Sequence, residues 1–412
     1  MYKLWHPFAQ MKTARPFLSI VRGEGTCLYA QDGRPFLDGT SSWWVNLHGH
    51  AHPYIRERLQ AQAELLEHVT FADFTHPCAI ELAERLLPLL PGQMTKAFYS
   101  DNGSTAVEVA LKMAFQYWHN RDPATKRRTV VCLQHSYHGE TFGAMAASGK
   151  NEFNRPFWNH LFEVEMLPST ASLDRFKHLL NQETVACFIF EPLISGVGGM
   201  KLHPAEELNK LIQLCRKHDV LAIADEVMTG FGRTGSLFAC DQLQEKPDII
   251  CLSKGITGGY LPLGLTACRE FIYEAFLSDH RHHALLHGHS YTANPLACSC
   301  ALASLDLLLL DKCTMQRKTI ASSHTAFCTT WRSHPKLKRC QSLGTILILE
   351  YHNEVDSYFT LLRDKLYDFC LDRGVLLRPL GNVLYMMPPY CIQPDELEKI
   401  YTVISQTLEG DL

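Results

Sequence analysis

The 412-residue sequence lacks the segments that direct a chain into or across a membrane. Its opening, MYKLWHPFAQMK, has neither the apolar stretch nor the small-residue cleavage site of a secretion signal. No run approaches the ~18 apolar residues of a spanning helix. The longest candidate, near residues 305–310, is interrupted by Asp306 and followed by Asp311. These absences predict a cytoplasmic protein with no membrane partner.

An excess of basic charge and a pattern of paired cysteines are also missing. The 43 acidic residues slightly outnumber the 39 basic ones, for a net charge of −4, so no nucleic-acid partner is expected. The cysteines number 15, which is odd, and no CxxC occurs among them. Without a secretion signal, they are typical of reduced thiols in a cytosolic protein.

Histidines are numerous, at 21, but a metal-binding pattern is missing. They concentrate at residues 48–52 and 280–289, without helical ligand spacing and without carboxylates at fixed offsets. Loop histidines that form hydrogen bonds explain this distribution better than a metal site does. We predict that no metal is bound.

The alternation of short and long apolar segments indicates an α/β fold. A chain of this length exceeds the ~250–300 residues that one core accommodates, so two domains are expected. Helices are predicted near residues 105–118, with Thr105 and Glu108 as a capping box, and over 204–218. Strands are predicted at 97–100, 129–133, 185–190, 220–224 and 248–252. This order favours a parallel sheet covered by helices on both faces.

The pattern changes beyond residue 300, where a smaller α+β unit is predicted. A helix over 302–310 precedes a strand at 345–351 and a helix at 358–372. Two strands, 375–379 and 383–387, are expected to pair with each other before a last helix that starts at Pro394.

Ligands of open α/β sheets bind at the carboxyl ends of the strands, and four features of the sequence lie at such ends. At the first, Gly103 and Ser104 follow a strand and open a helix, whose free N–H groups attract a phosphate. An ordinary strand–turn–helix junction has the same appearance. At the second, Tyr137 follows the strand 129–133, where its ring could stack on a planar cofactor or simply belong to the core.

The other two features are Asp225 and Lys254. A carboxylate that ends a buried strand needs a cationic partner, for which a protonated pyridine nitrogen would serve. A helix N-cap or a structural ion pair is the alternative. Lys254 follows the strand 248–252, where desolvation would favour the reactive amine that condenses with a carbonyl cofactor, although most lysines at strand ends are solvated and inert. The interval between them is about one βαβ unit, so neighbouring strands could direct both into one crevice.

Taken in order, five strings resemble the class III aminotransferases, which are fold-type I enzymes that use pyridoxal 5'-phosphate. They are SDNGSTAVE, SYHGETFGAM, EPLISGVGGM, ADEVMTGFGRTG and LSKGITGGYLPLG, and the resemblance covers essentially the whole chain. Further strings, LWHPF, DGTSSWWVNLHGH and HGHSYTANPLAC, are most similar to the branch that aminates 7-keto-8-aminopelargonate in biotin biosynthesis.

The resemblance implies a large domain, residues 51–300, with a mostly parallel central sheet. A smaller α+β domain is formed by residues 301–412, and the segment 1–50 packs with it and with the active site. The resemblance further implies a homodimer with composite active sites, in which each subunit completes the cofactor site of the other.

The resemblance also assigns roles to individual residues. Lys254 would hold the cofactor as a Schiff base and move the proton during ping-pong amino transfer. The other cofactor-binding residues would be Gly103 and Ser104 at the phosphate, Tyr137 on the ring, Asp225 at the ring nitrogen, Glu191 nearby, and His289 and Ser290 at the phosphate of the other subunit. The substrate-binding residues would be Phe8, Trp43, Trp44, Tyr137, Arg233, Gly288 and Arg378.

The small-molecule substrates implied are 7-keto-8-aminopelargonate and an amino donor, with S-adenosylmethionine preferred over lysine. Three departures from the family pattern bear on the donor. Phe8 stands where a tyrosine is common, Glu140 where an aspartate is common, and HGHSYT where HGPTF is usual. These changes resemble those of variants that take lysine, so lysine stays an alternative donor. Another ω-amino acid aminotransferase activity stays an alternative function.

Overall fold

The computed structural model describes residues 3–353 and 357–410. Its strands are β1 (Ile20–Glu24), β2 (Cys27–Ala30), β3 (Pro35–Asp38), β4 (Met94–Ser100), β5 (Thr129–Leu133), β6 (Val164–Leu167), β7 (Val185–Phe190), β8 (Ile194–Ser195), β9 (Lys201–Leu202), β10 (Leu221–Asp225), β11 (Ile249–Leu252), β12 (Gly264–Arg269), β13 (Leu337–Leu343), β14 (Ile346–Tyr351), β15 (Val375–Leu376) and β16 (Val383–Met386). Its helices are α1 (Ser41–Trp44, a single turn), α2 (Pro53–Leu65), α3 (Pro77–Leu86), α4 (Gly103–Arg121), α5 (Phe142–Ala147), α6 (Leu173–Leu180), α7 (Ala205–Lys217), α8 (Glu270–Glu274), α9 (Pro295–Leu308), α10 (Asp311–Trp331), α11 (Leu361–Asp372) and α12 (Pro394–Glu409).

A seven-stranded sheet in the order β4-β12-β11-β10-β7-β5-β6 forms the centre of the molecule. Six of these strands run in one direction, and β12, between β4 and β11, runs in the opposite direction. The predicted mostly parallel α/β sheet is therefore confirmed, with β6 and β12 added to the five expected strands.

Both faces of the central sheet are buried, because its strands are apolar on both sides. Alternate residues of β7 belong to different cores: Phe188 and Phe190 face α6 and α7, whereas Cys187 and Ile189 face α4. Helices therefore cover the sheet on both sides. The carboxyl ends of its parallel strands stay free to carry functional groups.

The helix that follows the first central strand starts differently from the prediction. Asn102, rather than Thr105, is the N-cap of α4, and the side chains of these two residues form the capping box. Glu108 instead accepts hydrogen bonds from the backbone N–H groups of Gly143 and Ala144 at the start of α5, at 2.7 and 3.1 Å. The predicted Thr105–Glu108 box was wrong because Glu108 has these donors in another helix.

The N-terminal and C-terminal parts of the chain share a four-stranded sheet in the order β1-β2-β3-β15. β15 runs parallel to β3, and β16 pairs with β14 in a separate three-stranded sheet. The predicted pairing of 375–379 with 383–387 was therefore wrong. Pro379 and the positive φ of Gly381 (58°) turn the chain between them, and a single bridge joins Leu380 to Val383. The domain boundaries near residues 50 and 300 stay predictions.

Two kinds of feature are absent from residues 3–353 and 357–410. No helix there combines the length and the apolar character that crossing a bilayer requires. No group of three or more His, Cys, Asp or Glu side chains converges there as metal ligands would.

The stacked rings in the central strand β7 provide a test of this core. Phe188 is fully buried, and its ring lies 5.2 Å from that of Phe190 and 5.3 Å from that of Phe176. We expect Phe188→Ala to lower the free energy of unfolding by about 3–5 kcal/mol, because the cavity cannot close between two rings. Leu361→Ala, at a side chain that is 82% exposed, is the control and should change stability little in the same denaturant titration. Equal losses in the two variants would contradict this packing.

Candidate active site

The two residues predicted to act together, Asp225 and Lys254, do lie at one site. β10 and β11 are parallel neighbours, and Asp225 at the end of β10 is in register with Cys251 of β11. Lys254 follows three residues later with a φ of 46°, a left-handed conformation that is strained for a lysine. Both residues line a cavity of about 210 Å³. The other lining residues are Trp44, Asn102, Gly103, Ser104, Tyr137, His138, Gly139, Glu191, Val197, Val227 and Met228.

The surroundings of Lys254 favour a reactive amine. Its Nζ lies 4.4 Å from the centre of the Trp44 ring. Burial lowers the pKa of Lys254 to about 8, against the opposing effect of the carboxylates of Asp225 and Glu191. A sizeable share of the amine is therefore unprotonated near neutral pH and can attack a carbonyl.

Asp225 is held by a buried histidine that the sequence analysis missed. Its Oδ2 lies 2.7 Å from His138 Nδ1, and its Oδ1 accepts a hydrogen bond from the backbone N–H of Val227 at 3.1 Å. His138 is 3% exposed, and its Nε2 has no hydrogen-bond partner in the described part of the chain. The sequence did place His138 at a functional position, since it follows Tyr137 directly after a strand end. Its partner, Asp225, lies far away in the sequence, so the pair could not be predicted.

Glu191 lies beside this pair, as predicted. It follows β7, the parallel neighbour of β10, and its oxygens accept the backbone N–H groups of Tyr137 (3.1 Å) and Gly196 (2.8 Å). Burial raises the pKa of Glu191 to about 7, although the nearby His138 acts in the opposite direction. The carboxyl is thus anchored at the cavity wall and close to its protonation midpoint at neutral pH.

The N-terminus of α4 forms a second wall that suits an anion. Gly103 opens this helix so close to Val227 that a Cβ would come within 2.7 Å of its Cγ1. The Oγ of Ser104 accepts the backbone N–H of Glu140 at 3.0 Å. A 19-residue helix directs its free N–H groups and the positive end of its dipole into the cavity, the arrangement that binds phosphate.

Tyr137 lines the cavity between these two walls. Its backbone N–H donates to Glu191 Oε1, and its hydroxyl lies beside the carboxylate of Glu140. Burial raises the pKa of the phenol, with the Glu140 charge acting in the same direction, so Tyr137 stays neutral. The pair therefore offers a polar edge to whatever the cavity binds.

An aromatic wall leads from the cavity to the surface. Trp44 is 3% exposed and donates a hydrogen bond through Nε1 to the Tyr385 hydroxyl at 3.0 Å. Trp43 is 37% exposed, with the guanidinium of Arg378 4.2 Å from its ring centre and Phe8 5.6 Å away edge-on. No carboxylate within residues 3–353 and 357–410 forms an ion pair with Arg378, and its buried Nε is without a hydrogen bond. The guanidinium is thus free to bind a carboxylate from outside.

This wall is built on a strained turn. All four residues of α1 have positive φ, at 50°, 47°, 69° and 76° for Ser41, Ser42, Trp43 and Trp44. A left-handed conformation costs L-residues roughly 1–2 kcal/mol each. Such strain persists only where the surroundings over-determine it, which is common at functional sites.

The predicted substrate residue Arg233 has a buried position beneath the wall. It is 1% exposed and donates hydrogen bonds to the carbonyl oxygens of Pro388 (2.9 Å), Trp44 (3.2 Å) and Asn46 (3.2 Å). In this structure Arg233 therefore supports the backbone of the aromatic wall. A direct contact with substrate stays a prediction.

Gly288, His289 and Ser290 do not line the cavity of their own chain. They lie in a loop before α9 in which Gly288 and Ser290 are exposed, and the backbone N–H of His289 donates to Thr292 Oγ1 at 3.1 Å. Their predicted place at the phosphate of another subunit stays a prediction.

The residues around the cavity fit pyridoxal 5'-phosphate. A reactive amine, a buried carboxylate and an anion-binding helix terminus surround one cavity, which matches the aldehyde, ring nitrogen and phosphate of that molecule.

Comparison with known proteins agrees with this geometry. The family model for "Aminotransferase class-III" matches residues 8–408. The chain belongs to the class III aminotransferases. A relative from Synechococcus elongatus, named adenosylmethionine-8-amino-7-oxononanoate aminotransferase, is 45% identical, with 98% of each chain covered. A relative of the same name from Staphylococcus aureus is 35% identical over 99% of this chain and 96% of its own length.

Solved structures extend the likeness to three dimensions. The crystal structure of adenosylmethionine-8-amino-7-oxononanoate aminotransferase from Methanocaldococcus jannaschii superposes with a TM-score of 0.93 at 34% identity, and covers 100% of this chain and 98% of its own. A PLP-bound amine transaminase from an uncultivated Pseudomonas species reaches 0.90 at 29% identity, with 99% of each chain covered. The predicted family, fold and cofactor class are confirmed.

The lowered pKa of Lys254 leads to a pH prediction. The rate at which the cofactor-free protein takes up pyridoxal 5'-phosphate, followed by visible absorbance, should rise with pH and level off above a midpoint near 8, because only the free amine attacks the aldehyde. In Glu191→Gln the midpoint should move down, since the Glu191 carboxylate raises the pKa of Lys254. A midpoint at the ordinary lysine value, or an upward shift in Glu191→Gln, would contradict this account.

Proposed function

We propose that this chain transfers an amino group to the ketone of 7-keto-8-aminopelargonate (8-amino-7-oxononanoate), and so forms 7,8-diaminopelargonate for biotin. The observation that carries the proposal is the free guanidinium of Arg378 above Trp43, beside the cavity of Lys254. This acceptor has a carboxylate at one end, a methylene chain and a reactive ketone. The arginine suits the carboxylate and the aromatic wall suits the chain. The names of the relatives from Synechococcus and Methanocaldococcus support the same substrate.

Each residue has a distinct task in this reaction. Bound pyridoxal 5'-phosphate supplies the electron sink that makes removal of a proton from the donor carbon feasible. Lys254, with its lowered pKa, takes that proton and returns it as general base and then acid. Asp225, fixed by His138, provides a negative charge for the ring nitrogen. The start of α4 would hold the phosphate, and Tyr137 would lie against the ring.

S-Adenosylmethionine is the donor that we favour, and lysine is the alternative. The printed names of the relatives include adenosylmethionine. In this chain Phe8, rather than a phenol, contacts Trp43 edge-on, and Glu140 rather than aspartate lies beside Tyr137. One departure lies at the aromatic wall and the other beside Tyr137, which lines the cavity, so lysine is kept in the comparison.

A direct assay separates these donors and the rival activities. Purified protein with pyridoxal 5'-phosphate should convert 7-keto-8-aminopelargonate, and the product should appear with S-adenosylmethionine at a higher kcat/KM than with lysine. Ornithine reacting as donor without any conversion of this ketone would favour a different ω-amino acid aminotransferase. Lys254→Ala should bind no pyridoxal 5'-phosphate as a coloured adduct. If the wild-type chain also forms no coloured adduct, the result would instead support a scaffold without catalysis.

We further propose that the chain acts in the cytoplasm as a homodimer with composite sites. The cytoplasm is supported by its 15 free cysteines, most of them buried, which suit a reducing compartment. The dimer is supported by the exposed loop at Gly288 and Ser290, which lies outside the cavity of its own chain. There, His289 and Ser290 would reach the phosphate bound by the other subunit.

Complementation between subunits tests the composite site. Lys254→Ala and Ser290→Asp should each be inactive alone, the first without the amine and the second because a carboxylate repels the phosphate. Mixed and reassembled, they should recover activity, because the hybrid contains one site with Lys254 from one subunit and Ser290 from the other. No recovery in verified hybrids, from two correctly folded parents, would contradict the composite arrangement.

A further inference from the structure

We propose that Asp38 and His50 are positioning residues for the ketone substrate, because together they hold the left-handed Ser41–Trp44 turn that carries the aromatic wall. The substrate assignment rests on the proposed function, whereas the positioning role rests on contacts described below. Neither residue lines the cofactor cavity, and both act through Trp43.

Asp38 is the centre of this arrangement. It ends β3, is fully buried, and uses both carboxylate oxygens on the turn. Oδ1 accepts hydrogen bonds from the backbone N–H of Thr40 (3.2 Å) and from its hydroxyl (3.3 Å), and Oδ2 accepts the Ser42 hydroxyl at 2.7 Å. Burial works to raise the pKa of Asp38, but hydrogen bonds from His50 and Ser42 outweigh it and hold that pKa below its ordinary value.

His50 fixes the carboxylate from the other side. Its Nε2 lies 2.9 Å from Asp38 Oδ2, and its Nδ1 lies 3.0 Å from the amide nitrogen of Asn46. The Asn46 amide is oriented in turn, because its oxygen accepts the backbone N–H of Gly49 at 2.7 Å. His50 Nδ1 therefore accepts from Asn46, which leaves the proton on Nε2 to donate to Asp38.

The same turn is also held by contacts at its first residue and beyond its last one. Arg233 binds the carbonyl oxygens of Trp44 and Asn46, and the Ser41 hydroxyl donates to the carbonyl of Met387 at 2.8 Å. The residues with positive φ lie between the Asp38–His50 pair and the carbonyl groups that Arg233 binds. Loss of the Asp38–His50 anchor would let Ser42 and Trp43 relax toward negative φ. The Trp43 ring that faces Arg378 would then move, whereas Trp44 stays held through Tyr385 and Arg233.

His50→Phe tests the role directly, since it keeps a ring of similar size and removes both nitrogens. We expect kcat/KM for 7-keto-8-aminopelargonate to fall roughly 10- to 100-fold, mostly through KM, because a small displacement of a binding wall has a large effect. Uptake of pyridoxal 5'-phosphate and its visible spectrum should be unchanged, because Lys254, Asp225 and α4 are untouched. His50→Gln should restore most of the activity, since its amide can donate to Asp38 and accept from Asn46.

Two further variants separate positioning from general stability. His324→Phe removes a fully buried histidine of α10 that contacts the Tyr401 hydroxyl (2.6 Å) and the Thr345 carbonyl (3.2 Å) and makes no hydrogen bond to Asp38, His50 or the Ser41–Trp44 turn. It should lower the melting temperature as much as His50→Phe does, with KM unchanged. Ser42→Ala should raise KM in the same direction as His50→Phe but by less. Equal KM in wild type and His50→Phe, or an equal rise in His324→Phe, would overturn the proposal.

A crystal structure of His50→Phe decides the question independently of turnover. The proposal requires that Ser42 and Trp43 leave the left-handed region in that variant and return to it in His50→Gln. Retention of positive φ at both residues in His50→Phe would overturn it, whatever the kinetics. If wild-type protein does not convert the ketone, the proposed function fails, while this crystallographic comparison still decides the role of Asp38 and His50.

Discussion

The parallel pairing of β10 with β11 is the constraint on which the site depends. It places Asp225 and the start of the Lys254 turn at the same edge of the sheet, so an acid and an amine from distant parts of the chain share one cavity. Either group alone would be costly to bury. Together, with Glu191 and His138, they form a buried cluster in which burial lowers the pKa of the Lys254 amine and His138 fixes the Asp225 carboxylate.

The active site is therefore built from groups whose usual protonation behaviour is changed by burial. Burial moves Lys254 and Glu191 in opposite directions, to pKa values of about 8 and about 7. Both groups can exchange protons near neutral pH, which ordinary solvated lysine and glutamate cannot do. The same burial would be purely destabilising in a protein without chemistry to perform. In this protein, burial sets the pKa values of Lys254 and Glu191 close to neutral before any ligand binds.

The sequence was sufficient for features that depend on local order and failed for those that depend on distant contacts. Asp225 and Lys254 were predictable because each follows an apolar strand, at an interval that suits adjacent strands. His138 and the Asp38–His50 pair were not, because nothing in their own segments identifies their partners. Helix α10 was missed for another reason. Its buried face includes Arg317 and His324 beside apolar residues, which hides the helical period.

The shared sheet of the two chain ends has a consequence for synthesis. β3 ends at Asp38, but its parallel partner β15 starts only at Val375. At about 5–20 residues per second, the ribosome delivers that partner roughly tens of seconds later. The first strands must wait through translation of the entire large domain before their sheet is complete. A ribosome that stalls before Val375 would thus release a chain with a complete central sheet but without the strands that support β3 and the aromatic wall.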